Sequence, residues 1–282
     1  MDEASFGVLE DATADLPNPT ALRQRMDDHG YLFIRGLLPR ELILEARRAL
    51  IGKLQEQGFL EPDTDPLDGI LKEGVHPGFS ELARDVPAVK RVVFGPEMKG
   101  FYQGLLGGDI AHFDYIWLRA MGIGPGTVPH CDIVYMGRGT HRLYTAWIPY
   151  GPVTYEVGGL MILEKSHLQA HRIRKYLETD VDAYCTNRPA TLRQTKDVGM
   201  LSNNPVSLQE KMGGRWLTAE YQMGDLLTFR TDLVHASTDN TTRRVRLSTD
   251  TRYQRSDEPI DDRWIGDEPI GKTPEGKKWR IC

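Results

Sequence analysis

From about residue 113 to residue 255 the chain is written as short runs rich in aromatic and β-branched residues, each cut off by a glycine-rich turn. "FDYIWLRAMG" ends in "GIGPGT"; "IVYM" is followed by "GRGT"; then come "HRLYTAWIPY", "GGLMILE", "RWLTAEY", "GDLLTFR" and "RVRLSTDTRYQ". Runs of this length and composition between Gly and Pro clusters read as strands. Many of them in series predict an antiparallel sandwich or barrel. "IVYM" is read here as one of these strands.

The first hundred residues follow a different period. "NPTALRQRMDDHG" predicts a short helix with Asn18 as cap, Pro19 at the first position and Gly30 closing it. "YLFIRGLL" reads as a strand. "PRELILEARRALIGKLQEQG" predicts a longer helix, with Leu42, Ala46, Leu50 and Leu54 on one face and Gly58 as the stop. Residues 59–80 hold three prolines and three glycines and read as a long loop, the kind that often serves as a lid. The fold expected is mainly β with a helical N-terminal part whose helices pack on one sheet face. The 282 residues are expected to form one domain. Residues 1–112 supply helical support and lid. Residues 113–255 form the core, with an insertion at 166–215. Residues 256–282 form a tail anchored by Trp264 and Trp279.

Composition narrows the classes of function. A net charge of -5 without a basic stripe argues against nucleic acid as a partner. No apolar run approaches a membrane span, and the acidic N-terminus lacks the features of a secretory signal. Cys131, Cys185 and Cys282 are too few and scattered for a disulfide framework, which predicts a reducing, cytoplasmic setting.

Two His-x-Asp pairs stand in the chain, His112 with Asp114 in "AHFDY" and His130 with Asp132 in "VPHCDIVYM". Among eight histidines such pairs arise by chance, and a strand-end hydrogen bond is the plain reading of either. A mononuclear non-haem iron site needs two histidines and one carboxylate on one face of an octahedron. On a strand, residues i and i+2 project to the same side, so one pair supplies two ligands. His235, after the apolar run Leu226–Phe229, is the candidate third. Eleven residues further on, Arg246 lies in an alternating strand that puts Arg244, Arg246, Ser248 and Asp250 on one face. A charged face is ordinarily solvated. In a barrel holding 2-oxoglutarate it becomes a clamp, since the far carboxylate needs a bidentate, always-charged partner. Ser248 would add a hydroxyl.

These residues carry a resemblance. "HGYLFIRGLLPRELILEARRAL", "PHCD", "YTAWIPY", "VGGLMILEKSH" and "HAST…RVRLS" together resemble the phytanoyl-CoA hydroxylase family of Fe(II)/2-oxoglutarate-dependent dioxygenases, over about residues 25–265. Two departures stand out. Lys165 replaces the glycine usual before Ser-His, and Val157 replaces the asparagine before the first glycine. The resemblance implies a double-stranded β-helix (jelly-roll, cupin-like) core. It implies His130, Asp132 and His235 as iron ligands, leaving His112 and Asp114 as structural or substrate-side groups. Arg246 would hold 2-oxoglutarate, with Trp147 as a wall of its pocket; Ser237 and Trp117 are further candidates for lining it, and Tyr135 is weighed with Trp117. Cys131, between the ligands, reads as a small buried residue. His167 and His171 have metal-pair spacing but no third partner in view, and Arg138 is a candidate for reaching substrate from a loop.

The implied activity is oxidation of a small molecule, by default hydroxylation, with O2 consumed and succinate and CO2 released. The presence of Asp132 argues against halogenation, which needs the carboxylate's position. A small organic acid or secondary metabolite is expected rather than a CoA thioester, because no basic patch is present. The alternatives are a cupin-like lyase or isomerase that does not use 2-oxoglutarate, and a non-catalytic jelly-roll binding protein.

Overall fold

The computed structural model describes residues 5–79, 86–182, 199–267 and 269. Cys185, Cys282 and Trp279 lie outside these residues. In chain order the elements begin with β1 (Phe6–Val8), α1 (Pro19–His29), β2 (Tyr31–Ile34), α2 (Arg40–Glu56), β3 (Gly78–Phe79), α3 (Pro87–Phe94) and α4 (Pro96–Leu106). They continue with β4 (Ile110–His112), β5 (Trp117–Met121), α5 (Ile133–Met136), β6 (Tyr144–Pro149), β7 (Leu160–Leu163), α6 (Arg174–Leu177) and α7 (Pro205–Met212). The last are β8 (Trp216–Thr218), β9 (Leu226–Arg230), β10 (His235–Ser237) and β11 (Arg246–Arg255).

The strands form two sheets. One has the order β1-β8-β7-β10; the other runs β2-β9-β6-β11-β5-β3, with β4 pairing β11 off this path. Side chains on the larger sheet alternate between two environments, as a pleated strand requires. Leu32, Ile34, Ala146, Ile148, Leu226 and Leu247 pack outward against α1, α2, α3 and α4. Tyr31, Phe33, Trp147, Leu227 and Phe229 face inward, against Leu160, Ile162 and Leu217 of the smaller sheet. The smaller sheet's other face is covered by α5 and α7, through Ile133, Val134, Leu208 and Met212. The result is the sandwich that the strand pattern predicts, with the helical N-terminal part on one sheet face.

Local chemistry explains the first helices. Asn18 accepts from the Ala21 amide at 3.2 Å, and Gly30 closes α1 with φ 80°. The buried stripe of α2 is Ile43, Ala46, Arg47, Leu50, Ile51 and Leu54. Leu42, expected on that face, is only half-buried, because the stripe is centred one position further along. Arg47 is the unexpected member. Its guanidinium donates to the carbonyls of Leu67 and Tyr150, so a buried cation ties the 59–79 loop to the core. Arg243 donates to the Leu71 carbonyl from the other side.

One expected strand is corrected. "IVYM" is the helical turn α5, and Asp132 before it already has helical angles, φ -64° and ψ -27°. Four apolar residues are too few for periodicity to tell a strand from a buried helical turn.

Lys165 is the one non-glycine residue with positive φ among the described residues, at 55°. A side chain in that region costs about 1–2 kcal/mol, part of which glycine returns through its greater entropy loss. The Lys165→Gly protein is therefore expected to gain about 1 kcal/mol, raising Tm by about 2–4 °C in a thermal melt.

Candidate metal centre

Three side chains converge between the sheets. His235 opens β10 and forms an antiparallel bridge with His130, each amide donating to the other's carbonyl at 3.0 Å. The turn before His130 is held close to β10. A Cβ on Gly126 would lie 2.0 Å from the Ser237 carbonyl, so only glycine fits there. The chain then enters α5, and that turn swings Asp132 back toward both rings. The convergence thus comes from a cross-strand bridge plus a helical turn, not from a single strand edge. His130, Asp132 and His235 each place a ligand atom within 4.8 Å of the others. Asp132 Oδ1 lies 3.7 Å from His130 Nε2 and 3.6 Å from His235 Nε2.

Both imidazoles are fixed in the same tautomer. His130 Nδ1 bonds the Val128 carbonyl at 2.8 Å and His235 Nδ1 bonds the Leu233 carbonyl at 3.0 Å. A carbonyl only accepts, so each Nδ1 carries the hydrogen and each Nε2 presents its lone pair to the centre. Burial pushes His130 down to about 3, helped by the neighbouring His235, and pushes His235 down against the pull of Asp132. Burial alone would raise Asp132, but Arg252, the two imidazoles and Thr145 outweigh it and hold the carboxyl well below its usual range. The result is two neutral nitrogen donors and one carboxylate, the set a non-haem Fe(II) centre uses. Among the described residues it is also the one such group of three or more potential ligands.

The triad lines a small, narrow cavity with Arg119, Thr127, Thr145, Trp147, Leu160, Phe229, Ser237, Arg246 and Asp250. Arg246 is 3% exposed, donates to the Gly158 carbonyl, and its Nε has no partner among the described residues. Burial pushes its guanidinium down to about 10. A buried cation held this way fits an anion, and a dicarboxylate beside the triad would supply one. Trp147 is buried on the cavity wall, edge-on to Tyr221. Ser248 shares the face of Arg246, with its Oγ buried and unpartnered among the described residues, but it is not part of the lining. Ser237 lines the cavity, yet its Oγ accepts from the Thr127 amide at 2.8 Å, so it also holds the turn before His130.

Other expectations are placed elsewhere. Trp117 does not line the cavity: it pairs with Asp250 at the end of the β5–β11 register, two residues before Arg119, and its ring lies under the Arg252 guanidinium, 4.2 Å from Cζ. Tyr135 stands edge-on to His130 at 6.0 Å, from α5. His112 stacks on Phe94, and Asp114 Oδ2 accepts from the Gly266 amide, so that pair braces β4 and the tail. His167 bonds the Asp27 carbonyl and Arg138 pairs with Asp180. Cys131 is fully buried and its thiol is pushed up by burial. No residue of the 59–79 loop, nor of the described part of the insertion 166–215, lines the cavity.

Pattern reading missed four polar members of the site: Arg119, Thr127, Thr145 and Arg252. A signal for Arg252 existed, since it continues the alternation Arg246, Ser248, Asp250 by one more step. Arg119 was visible as a lone charge inside an aromatic strand; its Nε donates to Asp250 at 2.7 Å.

The family model for phytanoyl-CoA dioxygenase matches residues 26–248. The chain belongs to the phytanoyl-CoA dioxygenase family. As a member it is a non-haem iron, 2-oxoglutarate-dependent oxygenase, an oxidoreductase using Fe(II), 2-oxoglutarate and O2. The 1-deoxypentalenic acid 11-beta-hydroxylase of Streptomyces exfoliatus is 24% identical over 254 residues, 86% of this chain and 84% of the relative. Among solved structures, apo EctD from S. alaskensis has a TM-score of 0.60 at 15% identity, covering 100% of this chain and 92% of that one. The epimerase SnoN in complex with Fe3+, alpha ketoglutarate and nogalamycin RO has a TM-score of 0.57 at 17% identity, covering 86% of each chain. At such identities the structural likeness establishes the jelly-roll fold of these oxygenases. No helix of the described residues is long and apolar enough to cross a membrane.

Proposed function

We propose that this dioxygenase hydroxylates a small organic acid. His130, Asp132 and His235 would hold Fe(II), and Arg246 the far carboxylate of 2-oxoglutarate. The observation that carries the assignment is the placement of a buried, incompletely partnered Arg246 in the same cavity as two neutral histidines and a carboxylate. Bound Fe(II) supplies the O2 chemistry that oxidises substrate while 2-oxoglutarate becomes succinate and CO2.

The chain's own residues do the rest. His130 and His235 offer Nε2 lone pairs already oriented by their Nδ1 bonds, so little reorganisation accompanies metal binding. Asp132 contributes the negative charge and occupies the position a halide would need, which favours hydroxylation over halogenation. Trp147, Leu160 and Phe229 keep water from the walls, and that strengthens the Arg246–carboxylate attraction. The preference for an acid substrate is supported by the relative named for 1-deoxypentalenic acid.

Anaerobic addition of 2-oxoglutarate to the Fe(II) protein tests the reading. A visible charge-transfer band is expected. Tight Zn(II) binding with no band would favour a lyase or isomerase instead, and no metal binding at all a non-catalytic protein.

A further inference from the structure

We propose that Arg252 and Thr145 are positioning residues that hold Asp132 to a single metal-facing oxygen and thereby keep a third coordination position open. The inference rests on the reading of His130, Asp132 and His235 as the iron ligands.

A carboxylate has two oxygens and about four lone-pair directions. In Asp132 the two oxygens have different duties. Oδ2 accepts from Arg252 Nη2 at 2.7 Å and from Thr145 Oγ1 at 2.6 Å. Oδ1 faces the two imidazole Nε2 atoms at 3.7 and 3.6 Å. Two short donors on one oxygen fix the carboxylate plane, and the arginine bond is charge-assisted.

Arg252 is itself held in place. It is 1% exposed, and its guanidinium stacks on Trp117, which is braced by Trp264 at 4.9 Å and Tyr115 at 4.5 Å between ring centroids. Among the described residues, Asp132 is the one carboxylate within ion-pairing distance of Arg252, and the arginine's Nε and Nη1 have no hydrogen-bond partner. A buried ion pair of this kind is no better for stability than an apolar pair of equal volume. Its location, on the far oxygen of a proposed ligand, points to a role in the site.

The consequence follows from coordination number. Two nitrogens and one oxygen take three of six octahedral positions. With the metal bound, the keto-acid end of 2-oxoglutarate would need two of the remaining positions and O2 the last. If Asp132 turned and bound through both oxygens, only two positions would remain. Arg252 and Thr145 occupy Oδ2 and so prevent that.

The test is Co(II) titration of the metal-free wild-type, Arg252→Met and Thr145→Val proteins, followed by the visible cobalt spectrum with 2-oxoglutarate saturating. Arg252→Met is expected to weaken Co(II) binding about 10–100-fold, and Thr145→Val about tenfold, the range for partners that orient a metal ligand. The cobalt bands of Arg252→Met are expected to shift in position and intensity as the carboxylate engages with both oxygens, an effect that a purely structural role would not produce. Thr145→Val is nearly isosteric, so it decides the matter if Arg252→Met does not fold. Co(II) affinities within twofold of wild type in the folded variants, with unchanged cobalt bands, would overturn this inference alone. Failure of the wild-type protein to bind Co(II) would overturn the ligand assignment beneath it.

Discussion

Replacing Arg246 by methionine is expected to remove 2-oxoglutarate binding while leaving Fe(II) binding intact. Arg246 is buried in the cavity, and its carbonyl bond to Gly158 does not neutralise it. Truncating one partner of a buried, hydrogen-bonded charge pair costs about 2–5 kcal/mol, here a rise of about 30-fold to several thousand-fold in the 2-oxoglutarate concentration giving half the charge-transfer band. The methionine is similar in length and needs no counter-charge. The metal-free variant should therefore melt at or above the wild-type temperature, which separates lost binding from lost folding. Arg246→Lys should fall between the two, because it keeps the charge and loses the planar fork. Wild-type 2-oxoglutarate affinity in Arg246→Met would remove the clamp from the mechanism.

His130→Ala is expected to lose Fe(II) affinity by more than the roughly 100-fold that the loss of an orienting partner can cost, because a donor atom itself is gone. His112→Ala should bind Fe(II) as wild type does, since its ring stacks on Phe94 away from the cavity. The reverse outcome would move the site to His112 and Asp114. His130→Ala carries a second signature in pH. Burial lowers the folded-state His130 to about 3, against about 6.5 in an unfolded chain. Between these values the unfolded protein binds the extra proton, so this contribution is complete above about pH 6.5 and is lost as pH falls. At pH 5 the loss is about 2 kcal/mol. The metal-free wild-type protein should thus show a Tm that drops on acidification from pH 7 to 5, and His130→Ala a shallower drop. Parallel Tm curves would show that His130 is not a buried neutral ring.

How far the chain could be read depended on how local each feature is. The cap at Asn18, the stop at Gly30 and the short apolar strands β2, β6 and β9 rest on neighbours a few residues apart, and the structure has them as the pattern predicts. The departure at Lys165 was legible too, though only the backbone shows why glycine suits that point. "IVYM" was misread because a four-residue apolar run has no measurable period. Trp117 was assigned to the pocket by proximity to the motif in sequence; register instead sets it under Arg252.

The residues alone determined the class of chemistry: a His-x-Asp pair, a later histidine and an arginine eleven residues beyond it are the materials of an iron and 2-oxoglutarate site. They did not determine which His-x-Asp pair stands beside His235, nor which other polar groups face the same space. Those were decided by pairings between segments about a hundred residues apart: the His130–His235 bridge and the placement of β11 between β5 and β6. A one-residue slip in such a pairing would turn Arg246, Asp250 and Arg252 to the opposite face, and no local pattern of residues encodes that register.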